Sequence, residues 1–270
     1  MRSTLAQRCL AHPAVVIALA RARPKRWDCT AADLAHRRRA AGFVLAALLA
    51  TSIATQAKAE IGASLSVLSD DRYRGRSLSD ERPVATFDLS YDHRSGAYAG
   101  ISLTGVATSA SGVQFLALRE YVGFSHQLRP GLTADIGISD KNYTRYSSYA
   151  DSYRYTEFYV GLQSKHVLSR LYISPSYLDH GATAYGELEA IAQPWLKWRL
   201  NGHVGLLASL GPGPLGDPAP TQYDWRVGIG RRIRAIDLSL TLTGAGPKAD
   251  YYAVQPQKGR AVVVGAAWIF

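Results

Sequence analysis

The last eleven residues of the chain, 260–270, constrain its fold more than any other segment. They read R-A-V-V-V-G-A-A-W-I-F, the length of one strand that crosses a bilayer at a tilt. Every second residue from Val262 to Phe270 is apolar, and the residues between them are mostly small. Because successive side chains of a strand point to opposite faces, one face of this segment is continuously apolar. The segment predicts the closing strand of a β-barrel that is surrounded by lipid.

The aromatic residues of this strand have a second implication. Trp268 and Phe270 lie on its apolar face, and Phe270 is the last residue of the sequence. They resemble the C-terminal aromatic signal that is read by the barrel-assembly machinery of bacterial outer membranes. We therefore expect Trp268 and Phe270 to form the assembly signal and that machinery to be a partner.

The same alternation recurs along the chain. It is clearest in 84–92, 132–139, 223–230 and 236–243, where apolar residues alternate with polar or small ones. Weaker segments lie at 61–72, 97–107, 113–127, 155–165, 170–178, 184–194, 200–210 and 260–270. The pattern predicts an all-β fold, a transmembrane antiparallel up-and-down β-barrel of about 12 strands, in which an even count places both termini on the same side.

Two residues conflict with an uninterrupted barrel. Pro175 lacks the N–H that a strand ladder needs, so strand 170–178 is expected to be bulged, short or misplaced. Glu120 falls on the lipid-facing set of strand 113–127, where a carboxylate is costly unless it lies near an interface or a bulge reverses the register. The connections otherwise alternate between short turns and longer loops, as periplasmic turns and extracellular loops do.

The front of the chain carries an export pattern. Arg37, Arg38 and Arg39 precede an apolar run at 40–50, and Ala57-Lys58-Ala59 then forms a small-x-small cleavage site. This order predicts a cleaved signal peptide at 37–59, followed by an outer-membrane barrel at 60–270. Residues 1–36 do not fit the pattern, and we interpret them as the product of a mis-called start. The predicted location is the bacterial outer membrane.

The charge of the whole chain, +10, suggests nucleic-acid binding, but the excess lies in the leader. Residues 1–59 hold ten of the 31 Lys and Arg and two of the 21 Asp and Glu, which leaves 21 basic and 19 acidic residues, net +2, in 60–270. Nucleic acid is therefore not an expected partner. Both cysteines also precede residue 60, so the rest of the chain has no disulfide and no thiolate zinc site.

One segment carries a family resemblance. Residues 69–83 read S-D-D-R-Y-R-G-R-S-L-S-D-E-R-P, which resembles the S-D-Y-R-F-R-G-x-S-x-S-x-x-x-P segment of the TorF-type porin family. The G-x-Y-x-G of 96–100 and Glu157 in a Tyr-x-Glu strand are further matches. Asp71 departs from the family, which usually has an aromatic residue there. The resemblance covers nearly all of 60–270 and implies a barrel and a pore, without a known substrate.

The polar set of each predicted strand would face the lumen, and it supplies the candidate site. The charged lumen-lining residues are predicted to be Asp88, Asp92, Arg119, Asp135, Glu157, Glu187, Glu189, Asp224, Arg226 and Asp237. Eight of these ten are acidic, and carboxylates in a narrow tube favour cations. The alternative is that the carboxylates pair with basic residues and fill the interior.

Three arginines, Arg72, Arg74 and Arg76, follow the first predicted strand and are candidate rim residues. They are suited to bind the phosphates of lipopolysaccharide or an anionic solute, or else to pair with Asp70, Asp71 and Asp80 on a solvated rim. Membrane lipid, lipopolysaccharide and small solutes are the expected partners.

Enzyme signatures are weak. The sequence has no G-x-S-x-G, H-E-x-x-H, P-loop or dinucleotide motif, and we expect no catalytic, cofactor-binding or metal-binding residues. Ser125 and His126 are adjacent, so on one strand they point to opposite faces and cannot form a dyad. His203 would face the lumen as a hydrogen-bonded polar residue.

The sequence thus predicts a passive outer-membrane channel for small hydrophilic solutes or ions, with a cation preference. The alternative is a plugged structural or adhesive barrel whose loops bind lipopolysaccharide or a partner. A barrel lipid hydrolase and a soluble periplasmic β-sandwich are weaker hypotheses.

Overall fold

The computed structural model describes residues 60–149, 151–212, 220–247, 251–252 and 258–270. The predicted signal peptide at 37–59 and residues 1–36 lie outside the described residues.

No helix in the described part of the chain is long and apolar enough to cross a membrane.

The described residues form fourteen β-strands. The first half of the chain contains β1 (Glu60–Leu68), β2 (Arg72–Tyr73), β3 (Arg76–Ser77), β4 (Val84–Asp92), β5 (Ala97–Thr108), β6 (Gly112–Arg129) and β7 (Leu132–Tyr143). The second half contains β8 (Tyr153–Ser164), β9 (Val167–Ser174), β10 (Thr183–Ala192), β11 (Trp198–Ser209), β12 (Gln222–Ile233), β13 (Ile236–Gly246) and β14 (Arg260–Ile269).

Twelve of these strands close into one antiparallel barrel, in which each strand pairs with its neighbours and β1 pairs with both β4 and β14. The predicted all-β barrel of about 12 strands is confirmed. β9 ends at Ser174, so Pro175 leaves the ladder and the strand is short, which was one of the expected outcomes. β2 and β3 form a separate two-stranded hairpin. The alternation pattern did not predict this hairpin, because two-residue strands are too short to show alternation.

The two faces of the wall differ as the alternation predicted. On β14, Val262 and Val264 are exposed on the outside, whereas Val263, Gly265 and Ala267 are buried on the inside. The same pattern on the other strands covers the exterior with Leu, Ile, Val and Phe side chains. A closed barrel satisfies its backbone hydrogen bonds internally, so this apolar exterior is suited to lipid contact.

Glu120 remains on the outside of the wall. The register between β5 and β6 shifts at Thr104/Gly105, opposite Leu116. This irregularity precedes Glu120 on β6 and does not turn the Glu120 side chain inward. Its register partner on β7 is Asp140, which accepts hydrogen bonds from Arg154 Nε at 2.9 Å and Thr156 Oγ1 at 2.8 Å. The wall therefore carries a small polar group toward one end of its outer face.

The hairpin β2–β3 lies inside the barrel. Arg72 pairs with Ser77 and Tyr73 with Arg76, around a turn in which Arg74 and Gly75 have φ of 50° and 72°. A two-residue turn with both φ values positive matches the twist of a tight hairpin. We call residues 69–83 the luminal segment, because its side chains contact the inner faces of β6, β7, β8 and β10.

Candidate functional site: the charged interior

The structure places all ten predicted lumen-lining residues on the inner set of their strands. Asp92, Arg119, Asp135, Glu157, Asp224 and Asp237 are buried, and Asp88, Glu187, Glu189 and Arg226 are half-buried. They lie inside because the wall alternates, and most of their neighbours in sequence are apolar residues that face outward. Their side chains do not form one uniform ring, because some of them contact the luminal segment and others contact only residues of the wall.

The three arginines expected on the rim lie elsewhere. Arg72 and Arg76 are 5% and 3% exposed, and the Arg74 side chain is 5% exposed. They are held within the barrel by the luminal segment, so a solvated rim is not where the structure puts them. The sequence could not show this, because a loop that leaves a strand and one that folds back into the barrel have the same composition.

Glu157 on β8 is the main anchor for the hairpin. Its Oε1 accepts a hydrogen bond from Arg74 Nη2 at 2.6 Å, and its Oε2 accepts one from Tyr73 Oη at 3.1 Å. Lys141 on β7 also donates to Glu157 and reaches Tyr73 Oη at 2.6 Å. Two cations thus share one carboxylate that is 1% exposed, which makes Glu157 the point on which both charges depend.

Aromatic rings complete the surroundings of Arg74. Its guanidinium carbon lies 3.8 Å from the Tyr185 ring centroid, 4.7 Å from that of Tyr73 and 5.0 Å from that of Tyr177. Burial disfavours the charged guanidinium, but Glu157 and the surrounding tyrosines together outweigh it and hold the pKa of Arg74 well above its ordinary value. Burial raises the pKa of the Tyr73 phenol, so Tyr73 remains a neutral hydrogen-bond donor.

Asp70 and Asp71 fix the base of the hairpin. Asp70 accepts from Arg72 Nε at 2.6 Å and from Ser77 Oγ at 2.6 Å, which closes the segment on itself. Asp71 accepts from Arg119 Nη2 at 2.6 Å, which fixes it to β6. Asp71 therefore has an ionic role at the position where the resembling family has an aromatic residue.

The far side of the hairpin approaches β12 and β13 closely. A Cβ added to Gly75 would lie 2.6 Å from the Gly244 carbonyl oxygen and 3.0 Å from Asp224 Cβ. The space between the hairpin and this wall is a cavity of about 30 Å³, lined among others by Arg72, Asp224 and Arg226. A cavity of that size has room for only one or a few waters, so the luminal segment narrows the barrel here.

The opposite wall neutralises its charges without the luminal segment. Arg226 Nη2 donates to Glu189 at 2.8 Å, and Arg199 forms a bidentate pair with Asp237 at 2.7 and 3.0 Å. His203 Nε2 lies 2.8 Å from Asp224 Oδ1. The pair of His203 and Asp224 joins neighbouring strands, and the other two pairs each reach across one intervening strand, so barrel closure alone brings all three together.

Sequence reasoning missed several basic residues of the interior. Lys141, Arg170 and Arg199 are on the inner set of their strands, and Arg170 Nη2 donates to Asp135 at 2.8 Å. Lys141 lies beyond the end of the predicted strand 132–139 and Arg199 just before strand 200–210, so both were left out of the alternation. The interior is consequently less acidic than the sequence indicated.

Four interior carboxylates have no ion pair with Lys or Arg among the described contacts, and one of them, Asp224, is paired with His203 instead. Asp88 accepts from Ser102 and Ser64, Glu187 accepts from Tyr172 Oη at 3.0 Å, and both oxygens of Asp92 are buried without a hydrogen-bond partner. These groups are what remains of the predicted acidic excess once the pairs are formed.

The chain belongs to the family described as "Bacterial protein of unknown function (Gcw_chp)", whose profile matches residues 53–270. No curated protein matches the chain in sequence.

Solved porin structures are similar to the barrel in fold. The NanC porin aligns with a TM-score of 0.51 at 7% identity, over 77% of this chain and 99% of NanC. The KdgM porin in complex with disordered oligogalacturonate aligns at 0.46 and 8% identity, over 78% of this chain and 98% of KdgM. The COG4313 outer membrane channel from Pseudomonas putida F1 aligns at 0.45 and 11% identity, over 80% and 96%.

Only the first of these scores exceeds 0.5, and at 7% identity it establishes a shared fold and nothing finer. The described chain is a porin-like, 12-stranded barrel, and its apolar exterior is suited to contact with membrane lipid.

Proposed function

We propose that the protein is a passive outer-membrane channel for small hydrophilic solutes or ions. One observation carries the proposal: the closed barrel has an apolar exterior and an interior lined with charged side chains on strand after strand. Charged groups inside a membrane-spanning wall are costly unless they face water or one another. Carboxylates without an ion pair, such as Asp88 and Glu187, favour a water-filled path beside the packed parts of the interior.

The luminal segment sets the size limit in this proposal. Its hairpin is fixed to β6 and β8 by ion pairs and to β7 by a hydrogen bond from Lys141 to Tyr73, and it comes within contact distance of β12 and β13. Solutes would pass through the narrow space that remains, so the channel would admit ions and small polar molecules and exclude larger ones. The resemblance of 69–83 to the TorF-type porins supports this role, because the resembling residues are those that form the hairpin and its base.

Cation preference is the finer part of the proposal. The buried ion pairs cancel most interior charge, and the carboxylates Asp88, Asp92 and Glu187 remain. Unpaired negative groups in a narrow, poorly solvated tube raise the local concentration of cations. The cation preference would therefore come from these few carboxylates without an ion pair. It would not come from the total number of acidic side chains among the ten predicted lumen-lining residues.

Export and assembly complete the proposal. Residues 37–59 would direct the chain across the inner membrane as a signal peptide, and Trp268 and Phe270 would present the assembly signal to the barrel-assembly machinery. Phe270 is 77% exposed, which suits a residue that a partner must contact. Lipopolysaccharide would contact the outer face near Asp140 and Arg154.

Single-channel recording tests the proposal. Protein purified in detergent from outer membranes of cells that express the full-length chain is added to a planar bilayer with a salt gradient. We expect discrete conductance steps and a reversal potential biased toward cations, and replacement of Glu187 and Glu189 by Lys should shift it toward anions. The eluate of cells without the gene is the control. Silence from a folded, heat-modifiable barrel would contradict an open channel.

A further inference from the structure

Three side chains on β10 and β11 bring metal-ligating atoms together inside the barrel. Glu187 and Glu189 are two residues apart on β10 and so share a face, and His203 on β11 is the register partner of Glu189. One ligand atom from each of the three lies within 4.8 Å of the other two. The set is mixed, with one imidazole and two carboxylates.

The orientation of His203 suits a metal ligand. Its Nε2 lies 2.8 Å from Asp224 Oδ1, and its side chain is 6% exposed. A carboxylate that accepts the Nε2 proton fixes the neutral tautomer in which Nδ1 carries the lone pair. Nδ1 is buried and forms no hydrogen bond, and Glu189 Oε1 lies 3.4 Å from it. His203 therefore points an unsatisfied ring nitrogen toward the two glutamates.

A second layer of contacts holds Asp224 in place. Tyr185 Oη donates to Asp224 Oδ2 at 2.9 Å. A Cβ added to Gly205 would lie 2.0 Å from Tyr185 Oη and 2.6 Å from Asp224 Oδ2. Gly205 thus leaves the room in which tyrosine, aspartate and histidine meet. Ligating histidines are commonly oriented by a carboxylate in this way.

The charge of the cluster also matches a divalent cation. Glu187 has no described ion pair, and Glu189 is paired with Arg226 at 2.8 Å. With a neutral His203, the carboxylates of Glu187, Glu189 and Asp224 exceed the single charge of Arg226 by two. A divalent ion balances this excess, whereas a protonated His203 would balance half of it.

We propose that Glu187, Glu189 and His203 bind a divalent transition-metal ion, with Asp224 as a positioning residue. Imidazole and carboxylate together suit Zn²⁺, and three protein ligands leave a position for an outside ligand. The sequence predicted no metal site, because ligands on separate strands form no recognisable spacing. The proposed metal site requires only the folded barrel, so a test of metal binding does not depend on whether the barrel conducts ions.

Calorimetric titration of the detergent-purified, full-length-expressed protein with ZnCl₂, after removal of metal by a chelator, tests the site. We expect one ion per barrel. His203→Gln should abolish the binding, Glu187→Gln should weaken it at least about tenfold, and Asp224→Asn should weaken it roughly 10–100-fold, the usual effect of removing a carboxylate that orients a ligating histidine. The matched control is Asp88→Asn, an interior carboxylate outside the cluster, which should leave binding unchanged.

X-ray absorption of the zinc-loaded wild type gives a readout that does not depend on a variant folding. It should show nitrogen and oxygen neighbours at about 2.0–2.2 Å with the scattering of one imidazole. Zinc binding that His203→Gln leaves intact, a first shell without imidazole, or no binding to the folded wild type would each overturn the proposal. The last result would mean that His203 is protonated and bridges Glu189 and Asp224.

Discussion

The two halves of the barrel interior neutralise their charges in different ways. On β6 to β8, the wall residues Arg119 and Glu157 pair with Asp71 and Arg74 of the luminal segment. On β10 to β13, wall residues pair with each other, as Arg226 does with Glu189. The ion pairs of the second half form once the barrel closes, and Glu187 is left without one among the described contacts. The first half is complete only when a separate segment docks, so loss of one hairpin contact leaves a buried charge in the wall.

The sharpest way to break this comparison is Glu157→Gln. The change removes the carboxylate that Arg74 and Lys141 share, and breaking a buried ion pair costs about 3–5 kcal/mol. We expect a loss of unfolding free energy at the upper end of that range and release of the hairpin. Mass spectrometry after limited trypsin treatment should detect new cleavage at Arg72, Arg74 and Arg76. Continued protection of all three arginines would show that Glu157 does not anchor the segment.

A matched pair of arginines separates docking from simple ion pairing. Arg119→Gln leaves Asp71 of the luminal segment unpaired, and Arg199→Gln leaves Asp237 of the wall unpaired. Each should lower the unfolding free energy by about 3 kcal/mol, measured by denaturant titration in detergent. Only Arg119→Gln should also increase trypsin cleavage in 72–76 and raise single-channel conductance. Equal effects of the two variants on cleavage would contradict the distinction between the halves.

Two glycines with positive φ provide a smaller test. Gly75 has a φ of 72° and would place a Cβ 2.6 Å from the Gly244 carbonyl oxygen, whereas Gly131 has a φ of 81° and open space around it. Gly75→Ala should cost about 1–3 kcal/mol and displace the hairpin from β13. Gly131→Ala should cost about 1 kcal/mol from the backbone alone and leave the hairpin protected. A displaced hairpin in both variants would point to a general loss of stability.

The smallest expected effect concerns ion preference. Glu187→Gln removes a carboxylate without an ion pair. The reversal potential, recorded in a salt gradient with a chelator present, should move toward that of a less cation-selective pore. The matched variant Glu120→Gln removes a carboxylate from the outer face, where it is exposed, and should leave the reversal potential unchanged. A shift of equal size in both variants would place the selectivity outside the lumen.

Most of the wall could be predicted from the sequence, and the reason is local. A strand of period two that lies between lipid and an interior must alternate, so the pattern in 84–92 or 236–243 identifies both the strand and its faces. Strand ends were predicted less well, as with Lys141 and Arg199, because polar residues continue past the apolar band. Pro175 predicted that its strand would be bulged, short or misplaced, since a missing N–H is a property of the residue itself, and β9 ends just before it.

The site was predictable only as a set of inward-facing residues. That Glu157 would face inward follows from its place in strand 155–165, but that it would bind Arg74 does not, because the two residues are 83 positions apart. The same holds for His203, whose ligand-like surroundings come from two other strands. Alternation fixes the direction of a side chain and leaves open which partner it meets.

By itself, the sequence determined that this chain forms a barrel of about 12 strands, that its alternating apolar residues face outward, and that ten charged residues lie on the inner set of their strands. These properties depend on neighbours in sequence, which the chain carries wherever it folds. The tertiary structure alone decided that residues 69–83 turn back into the lumen, that their arginines are buried against Glu157 and Asp70, and that Glu187, Glu189 and His203 converge. Those contacts depend on barrel closure and on the register of strands that are distant in sequence. Many residues carry the same charge, and only the folded barrel decides which of them come within hydrogen-bonding distance.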